Sequence, residues 1–408
     1  MKKQKDRFAR VGIIFWVSCL IFTLFILNVS HAQFKVPKLE PEEPVFDFRD
    51  REILFQPILS YNRVQGPFLG IDLVVYLKQL WHFKLLGSMG YGFEDGRRYR
   101  AGMQRSFFGS NPLTIGFSYY DQVASLDDWY IGNIENSLAA LFFKEDFKDF
   151  FGQKGMLVFA DQKLSDVHTL RIEVDRAEFE SLFRRTNWAL FYKDKRFRDN
   201  PGVVYEKTTS LRLFWILDWL DNDQSPCPGW YLEGMAEQTY GDKAETQGLF
   251  MTLKRFQPTF GTQQLQMKMM VGARKGCDQR FGQYLMDMGG IGSLVAYRDK
   301  EFQDGNRFLY ATAHYLFNQA FMGRRPVRYL PFSNQYVLGI FVESGWLKYG
   351  GKNTNPVDDF GRLKITDFKT DIGFSLHLSD ELARIDFAKR TDRSKDAWRI
   401  TARFMQKF

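Results

Sequence analysis

The sequence of 408 residues contains little cysteine, little proline and few long apolar runs. Three Cys are too few for a disulfide scaffold, and no cluster of Cys and His has the spacing of a zinc site. Because Pro is limited to 13 residues and charges of both signs are mixed, a collagen-like or largely disordered protein is excluded. Beyond residue 32 no run of about 18 apolar residues occurs, so we expect no transmembrane helix there. The sequence predicts neither a metal nor a cofactor.

The first thirty-two residues have the pattern of a secretory signal. Basic residues come first, at Lys2, Lys3, Lys5, Arg7 and Arg10. An apolar run over 11–27 follows, and the small residues Ser30 and Ala32 predict cleavage before Gln33. The alternative is an uncleaved anchor helix, because the apolar run is near the lower limit of about 17 residues for spanning a bilayer.

Half of the net charge of +8 belongs to these first thirty-two residues. Their basic residues, less Asp6, supply that half, so the remaining chain is only weakly basic and we expect no nucleic-acid partner. Cys19 leaves with the signal. Cys227 and Cys277 remain, and they pair in an oxidising compartment only if the fold brings them together.

Apolar and polar residues alternate over much of the remaining chain, as in 170–175, 264–272 and 371–378. Because successive side chains of a strand point to opposite faces, each such segment has one apolar and one polar face. A soluble β-sandwich gives this alternation. A transmembrane β-barrel gives it too, since lipid-facing and lumen-facing residues alternate there.

Three further features favour the membrane barrel. The alternating segments recur along nearly the whole chain, with turn residues such as 94–96 and 110–112 between them. Aromatic residues gather near the segment ends, as bilayer interfaces favour, at Tyr91, Phe93, Tyr119, Tyr120, Trp215, Trp219, Tyr231 and Tyr349. The chain also finishes on an alternating segment. We therefore predict an all-β transmembrane antiparallel β-barrel.

The last segment has one aromatic and apolar face, formed by Trp398, Ile400, Phe404 and Phe408. It must pair with the first strand, because bilayer hydrocarbon tolerates no open sheet edge. A closing strand that ends in Phe resembles the assembly signal of bacterial outer-membrane proteins. Together with the secretory signal, this resemblance implies a location in the outer membrane of a Gram-negative bacterium and contact with the assembly machinery during biogenesis.

Segment 289–302 carries the most specific resemblance. Its motif residues are Gly289, Gly290, Ser293, Leu294, Tyr297 and Arg298. It resembles the sixth-loop motif of BamA/TamA-type barrels, the bacterial surface-antigen family, in which this loop folds back into the lumen. Phe341, Glu343 and Gly345 resemble the family's wall motif, which receives an arginine of the loop. Further matches follow the family's order at 61–70, 90–93 and 383–388.

The loop departs from the family motif at its arginine. Val295 stands at the arginine position, Ala296 stands at the following glycine position, and the wall acid is Glu343 rather than Asp. We hypothesise that Arg298 replaces the arginine and reaches Glu343, because a guanidinium in a polar lumen needs a carboxylate partner. The alternative is that Arg298 is a solvated lumen residue and that the loop is held differently.

The resemblance also implies the layout of the chain. It predicts about 16 strands with the lumen loop between the eleventh and twelfth, and the alternation itself supports about 14 to 16. We expect a signal peptide over 1–32, a short periplasmic segment over 33–58 and the barrel over 59–408. Members that insert or secrete proteins carry POTRA domains ahead of the barrel, and 33–58 is too short for one, so we expect a barrel-only member.

One segment breaks the alternation. Apolar residues at helical spacing over 134–147, followed by Gly152, predict a short amphipathic helix. An irregular loop that contains a strand explains the same residues equally well.

Three functions compete. The first is an assembly or translocation barrel that acts on a periplasmic client or partner through a seam between a first strand near 68–77 and the last near 398–408. The second is a passive or loop-gated pore. The third, an enzyme, is not expected, because none of the His residues stands in a recognisable Ser/His/Asp spacing.

Overall fold

The computed structural model describes residues 46–48, 51–77, 83–107, 109–221, 228–261, 263–317, 336–355, 357–378, 383–393 and 396–404. These residues belong to one compact unit, Val45–Phe408. The predicted signal peptide, Cys227 and Phe408 lie outside the described residues, and so does the question of a Cys227–Cys277 bond.

Within the described ranges, sixteen strands form the main sheet. They are β1 (Arg51–Asn62), β2 (Gly66–Leu77), β3 (Phe83–Gly92), β4 (Gly96–Phe107), β5 (Leu113–Ala124), β6 (Phe151–Lys163), β7 (His168–Ser181), β8 (Glu206–Asp218), β9 (Gly229–Gly241), β10 (Glu245–Pro258), β11 (Gln264–Lys275), β12 (Arg307–Leu316), β13 (Tyr336–Lys348), β14 (Lys369–Leu378), β15 (Ala383–Arg390) and β16 (Arg399–Phe404).

The other elements are short. The helix α1 (Asn133–Leu138) runs into a π-helical turn, Ala139–Phe143. Single turns of 3₁₀ helix occur at Leu126–Trp129, Gly282–Tyr284, Phe360–Arg362 and Ile365–Asp367. Phe46–Phe48 is a short strand on β1, and Met286–Met288 pairs with Phe302–Gly305 in a small separate hairpin. Among the described residues, no helix is both long and apolar enough to cross a membrane.

Every strand from β1 to β16 pairs antiparallel with its neighbour in sequence. The predicted all-β transmembrane barrel of sixteen strands is thus confirmed, and the long connection 276–306 lies between the eleventh and twelfth strands as predicted. The start of the barrel differs from the prediction. The first strand begins at Arg51 rather than at 59, and the segment 68–77 belongs to the second strand.

The wall has an inverted polarity. Large apolar side chains face outward at alternate positions, and Met89 keeps 67% of its surface exposed, Ile400 64% and Leu59 63%. Polar and charged side chains are buried inside, among them Glu173, Asp175, Thr208, Thr239, Thr312, Glu343, Asp371, Ser375 and Asp386. A water-soluble protein does the opposite, so these strands match a lipid environment around a polar lumen.

The long connections gather at one end of the barrel. In an antiparallel sheet, all links from an odd to an even strand lie at the same end, and these include 125–150, 182–205, 276–306 and 349–368. The segment 134–151 is helical only in part, over Asn133–Phe143, because Lys144 adopts a left-handed conformation and Gly152 already lies in β6. The buried residues of α1 are the polar Glu135 and Asn136, so its inner face suits a polar lumen.

Candidate functional site

The connection 276–306, here called the lumen loop, is shaped by its glycines. Gly289, Gly290 and Gly292 all have positive φ, at 107°, 93° and 85°, which side chains rarely tolerate. The backbone N–H of Gly289 donates to Ser293 Oγ at 3.1 Å and fixes the turn. Leu294 also adopts a left-handed conformation, and its side chain is fully buried. These residues bend the loop back so that its tip reaches the wall.

The tip is held by backbone amides rather than by an arginine. The N–H of Val295 donates to Glu343 Oε2 at 3.0 Å, and the N–H of Ala296 donates to Asp371 Oδ2 at 2.7 Å. Glu343 and Asp371 are cross-strand partners on β13 and β14, so two buried carboxylates meet two consecutive amides. Tyr310 on β12 donates to the other oxygen of Glu343 at 2.9 Å.

The predicted pairing of Arg298 with Glu343 is therefore wrong. The side chain of Arg298 is exposed, and its backbone N–H donates to Glu301 at 2.9 Å. The physical reason is that Val295 lacks a long polar side chain, so its backbone can approach the wall directly and satisfy the carboxylate that a guanidinium would otherwise bind.

Tyr297 anchors the next position of the loop. Its hydroxyl donates to the carbonyl of Thr370 at 3.2 Å, and the guanidinium of Arg390 lies 4.0 Å from the centre of its ring. Arg399, at the start of β16, donates to the carbonyl of Tyr297. The loop thus contacts the last three strands of the barrel through this one residue.

Small residues in the wall make room for the loop. A Cβ added to Gly345 would lie 2.3 Å from Met288 Sδ and 3.0 Å from Leu294 Cδ1, so only glycine allows this approach. Phe341 packs with Val295 and Ala388 in a buried cluster. The structure thus brings Leu294 and Val295 of the loop against the wall residues Phe341, Glu343 and Gly345, while the side chain of Arg298 stays exposed.

A second set of contacts ties the lumen loop to the loop-rich end. Lys300 Nζ lies 2.8 Å from Asp127 Oδ2 and 3.1 Å from Asp287 Oδ2, and it also pairs with Asp149. Its side chain is only 5% exposed. Burial works against its charge, but the carboxylates of Asp127 and Asp149 outweigh burial and raise the pKa of Lys300.

Asp149 is shared by four connections. Its Oδ1 lies 2.8 Å from Arg63 Nη2 and 2.5 Å from Arg198 Nη1, while its Oδ2 meets Lys300. Burial opposes its ionisation, yet Lys300 and Arg198 outweigh burial and hold the pKa of Asp149 below its usual value. One carboxylate therefore joins the connections after β1, β5, β7 and β11. The alternation of the strands gave no signal of this network.

The last strand, β16, is described from Arg399 to Phe404. β16 has six residues and β1 has twelve within the described ranges. Trp398, just before β16, and Ile400 are both exposed, at 50% and 64%, and Trp398 packs against Phe374 at a centroid distance of 5.7 Å. Arg403 points the other way and is buried in the lumen.

Other chemistry is sparse in the described part of the chain. No group of His, Cys, Asp and Glu side chains there could hold a metal ion. Ser375 Oγ and His377 Nε2 lie 2.8 Å apart on β14, since residues two apart on a strand share one face. The sequence analysis did not predict this contact.

Comparisons with known proteins give the fold. No family model and no curated protein matches the chain. Among solved structures, it is similar to BamA from Haemophilus ducreyi lacking POTRA domains 1–3, with 10% identity, a TM-score of 0.55, and coverage of 87% of this chain and 70% of that one.

Two further structures are CdiB from Acinetobacter baumannii, at 12% identity and a TM-score of 0.41, and CdiB from Escherichia coli, at 11% and 0.39. They cover 86% and 88% of this chain, which spans 58% and 63% of theirs. With sixteen antiparallel strands and a lumen loop between the eleventh and twelfth, the chain has the fold of the BamA barrel.

Proposed function

We propose that this protein is a BamA/TamA-type barrel of the Gram-negative outer membrane that acts on extended polypeptides through a lateral seam between β1 and β16. The observation that carries the proposal is that both end strands direct a backbone amide to a side chain and not to a strand: the N–H of Tyr61 on β1 donates to Ser137 Oγ, and the N–H of Phe404 on β16 donates to Glu135 Oε1. Such amides can be transferred to the carbonyls of an incoming strand, because a strand edge offers amides and carbonyls for pairing.

The packed lumen supports a seam over a passive pore. Leu294, Val295 and Tyr297 of the lumen loop have no exposed surface, so the loop fills its side of the lumen. A loop-gated pore is the second candidate, favoured by the same docking, since a loop held by a few wall contacts could leave and open a channel. The two candidates differ in what must move: strands in the first and the loop in the second.

Catalysis is not part of the proposal. Ser375 and His377 resemble a nucleophile and its base, but Ser375 is fully buried within the wall. A nucleophile needs space for a reacting atom beside it. The partners we propose are the bilayer itself, the outer-membrane assembly machinery during biogenesis, and a client or partner that approaches from the periplasm.

Photo-crosslinking in growing cells tests the seam. A photoreactive side chain at Leu59 of β1 or Ile400 of β16 is expected to capture polypeptide. The same group at Leu213 of β8, which also faces outward, is the matched control and is expected to capture none. A disulfide between β1 and β16, in a chain with Cys227→Ala and Cys277→Ala, should abolish the adducts. Equal capture at Leu213 would contradict the proposal.

Conductance in planar bilayers separates the pore. Deletion of 289–302 should raise the single-channel conductance if the loop is a gate, while the disulfide between the end strands should leave it unchanged. A conductance that falls when the strands are locked would instead assign the current to the seam.

A further inference from the structure

The helix α1 touches both end strands of the sheet at once. It lies in the connection between β5 and β6, far in sequence from β16, and its residues Glu135 and Asn136 are buried. Asn136 is held by the end of the same connection, because its side chain donates to Asp146 Oδ1 at 2.8 Å and accepts from the N–H of Phe147 at 2.9 Å. The helix is therefore placed firmly beside the seam.

On the β16 side, one carboxylate binds both backbone and side chain. Glu135 Oε1 accepts from the backbone N–H of Phe404 at 3.0 Å. The same carboxylate holds the guanidinium of Arg403 at 2.7 and 3.0 Å. Arg403 also donates to the carbonyl of Tyr130 at 2.7 Å. Because Arg403 is only 1% exposed and Glu135 3%, these are desolvated, charge-assisted bonds.

On the β1 side, the hydroxyl of Ser137 is the acceptor, as the carboxylate of Glu135 is on the β16 side. The backbone N–H of Tyr61 donates to Ser137 Oγ at 3.0 Å, and the hydroxyl in turn donates to the carbonyl of Asn133. The ring of Tyr61 packs with Ala140, at the end of the same helical segment, in a buried cluster. Both end strands thus give an amide to α1 rather than to a neighbouring strand.

The lumen loop reaches the same place. Gly292 lies against Tyr130, and a Cβ added there would sit 2.4 Å from the Tyr130 carbonyl, the group that accepts from Arg403. Docking of the loop therefore restricts the position of the segment that leads into α1.

We infer that α1 is a latch that holds the seam shut by occupying, with Glu135 and Ser137, the amides of Phe404 and Tyr61 that a pairing strand would use. The inference rests on the proposed function for what the opened edges receive. A buried amide needs an acceptor, and side-chain acceptors can be exchanged for strand carbonyls without a net loss of hydrogen bonds. Release of α1 then converts two capped edges into a binding site for an extended polypeptide.

Hydrogen–deuterium exchange of the full-length protein in nanodiscs tests the latch without any client. In Ser137→Ala, peptides containing Tyr61 should exchange about tenfold faster, and peptides containing Phe404 should not change, because only the β1 contact is lost. In Glu135→Ala, the Phe404 peptides should exchange about ten- to a hundredfold faster, since a charge-assisted contact is lost. Glu178→Gln is the control, because Glu178 on β7 contacts Tyr205 and Lys207, away from the end strands.

Peptides of β8 and β9 serve as the reference for folding. If both variants leave the exchange of the Tyr61 and Phe404 peptides unchanged relative to this reference, the latch is refuted, whatever the crosslinking at the seam shows. If exchange speeds up across β8 and β9 in Glu135→Ala, that variant is globally destabilised, and the exchange of the Tyr61 peptides in Ser137→Ala alone tests the latch. If exchange rises locally but no polypeptide is captured at Leu59 or Ile400, the latch stands and the proposed function fails.

Discussion

The wall of the barrel and the lumen loop satisfy their polar groups by different means. In the wall, each strand pairs with the next through a regular ladder of backbone hydrogen bonds, so an outward-facing side chain needs the right polarity and no particular partner. In the loop, the amides of Val295 and Ala296 depend on two particular carboxylates, and Lys300 depends on Asp149. We therefore expect an outward-facing residue of the wall to be replaceable by another of the same polarity. In the loop, removal of a single hydrogen-bonding or charged group should already weaken docking.

The largest effect is expected at Asp149. In Asp149→Ala, the buried Arg63 and Lys300 each lose a partner, and removal of one member of a buried ion pair typically costs about 3–5 kcal/mol. The loop-rich end should become sensitive to protease, and the midpoint of urea unfolding should fall. Asp278→Ala is the control, since its partner Arg280 is exposed. Equal protease sensitivity and equal urea midpoints in the two variants would show that the ion pairs of Asp149 stabilise the protein no more than an exposed ion pair does.

The wall is tested by a charge on its outer face. Val158 lies near the middle of β6 and is 46% exposed toward lipid. Val158→Arg should destabilise the folded barrel by about 2–4 kcal/mol, because a cation at the bilayer midplane is poorly solvated. Unfolding from lipid vesicles, followed by tryptophan fluorescence, measures this. Val158→Leu should be nearly silent, and a comparable loss in that variant would show that the wall, too, depends on individual contacts.

Two glycines of the wall sharpen the comparison. An added methyl at Gly345 meets Met288 and Leu294 of the lumen loop, while one at Gly234 on β9 meets nothing within 4 Å. Gly345→Ala should therefore cost about 1–3 kcal/mol through overpacking and loosen the loop, and Gly234→Ala should not. Limited proteolysis within 276–306 reports the loosening directly. Similar digestion of both variants would mean that the loop does not need this close approach.

The wall could be predicted from the sequence because its physics is periodic. Alternation over 170–175 and 371–378 reports which face meets lipid, and the structure buries Glu173, Asp175 and Asp371 as the pattern requires. The sequence predicts the first strand too late in the chain, because β1 contains Pro57 and alternates only weakly, whereas the alternation near 68–77 is stronger.

The loop contacts could be predicted only as far as a motif carries. The resemblance predicts that segment 289–297 lies near Glu343. It does not predict the contact itself, because the group that binds Glu343 is the backbone amide of Val295, and every non-proline residue has such an amide. The contacts of Asp149 and of Glu135 join residues that are distant along the chain. No local pattern encodes such contacts, since any carboxylate in a polar connection would look the same.

The smallest expected effect concerns pH. Asp299 lies in the lumen loop, and burial raises the pKa of its carboxyl to about 6. Because the folded-state pKa lies above that of the unfolded chain, the folded state binds the proton more tightly, and this contribution to stability is lost as pH rises from about 4 through 6. The loop should therefore hold more firmly at pH 4.5 than at pH 7.

The change should be about 1–2 kcal/mol, since the side chain is only partly enclosed. It should become smaller in Asp299→Asn, in which Asp287 remains as a second loop carboxyl whose pKa is raised by burial. Protease protection of 276–306, measured from pH 4.5 to 7, reports it, with Val158→Leu as the wall control that keeps the wild-type slope. Asp149 does not obscure this window, because its pKa is lowered and it stays ionised there. A slope as steep in Asp299→Asn as in the wild type would assign the pH dependence to other groups, and Asp299 would then contribute as little to the docking of the loop as an outward-facing side chain of the wall.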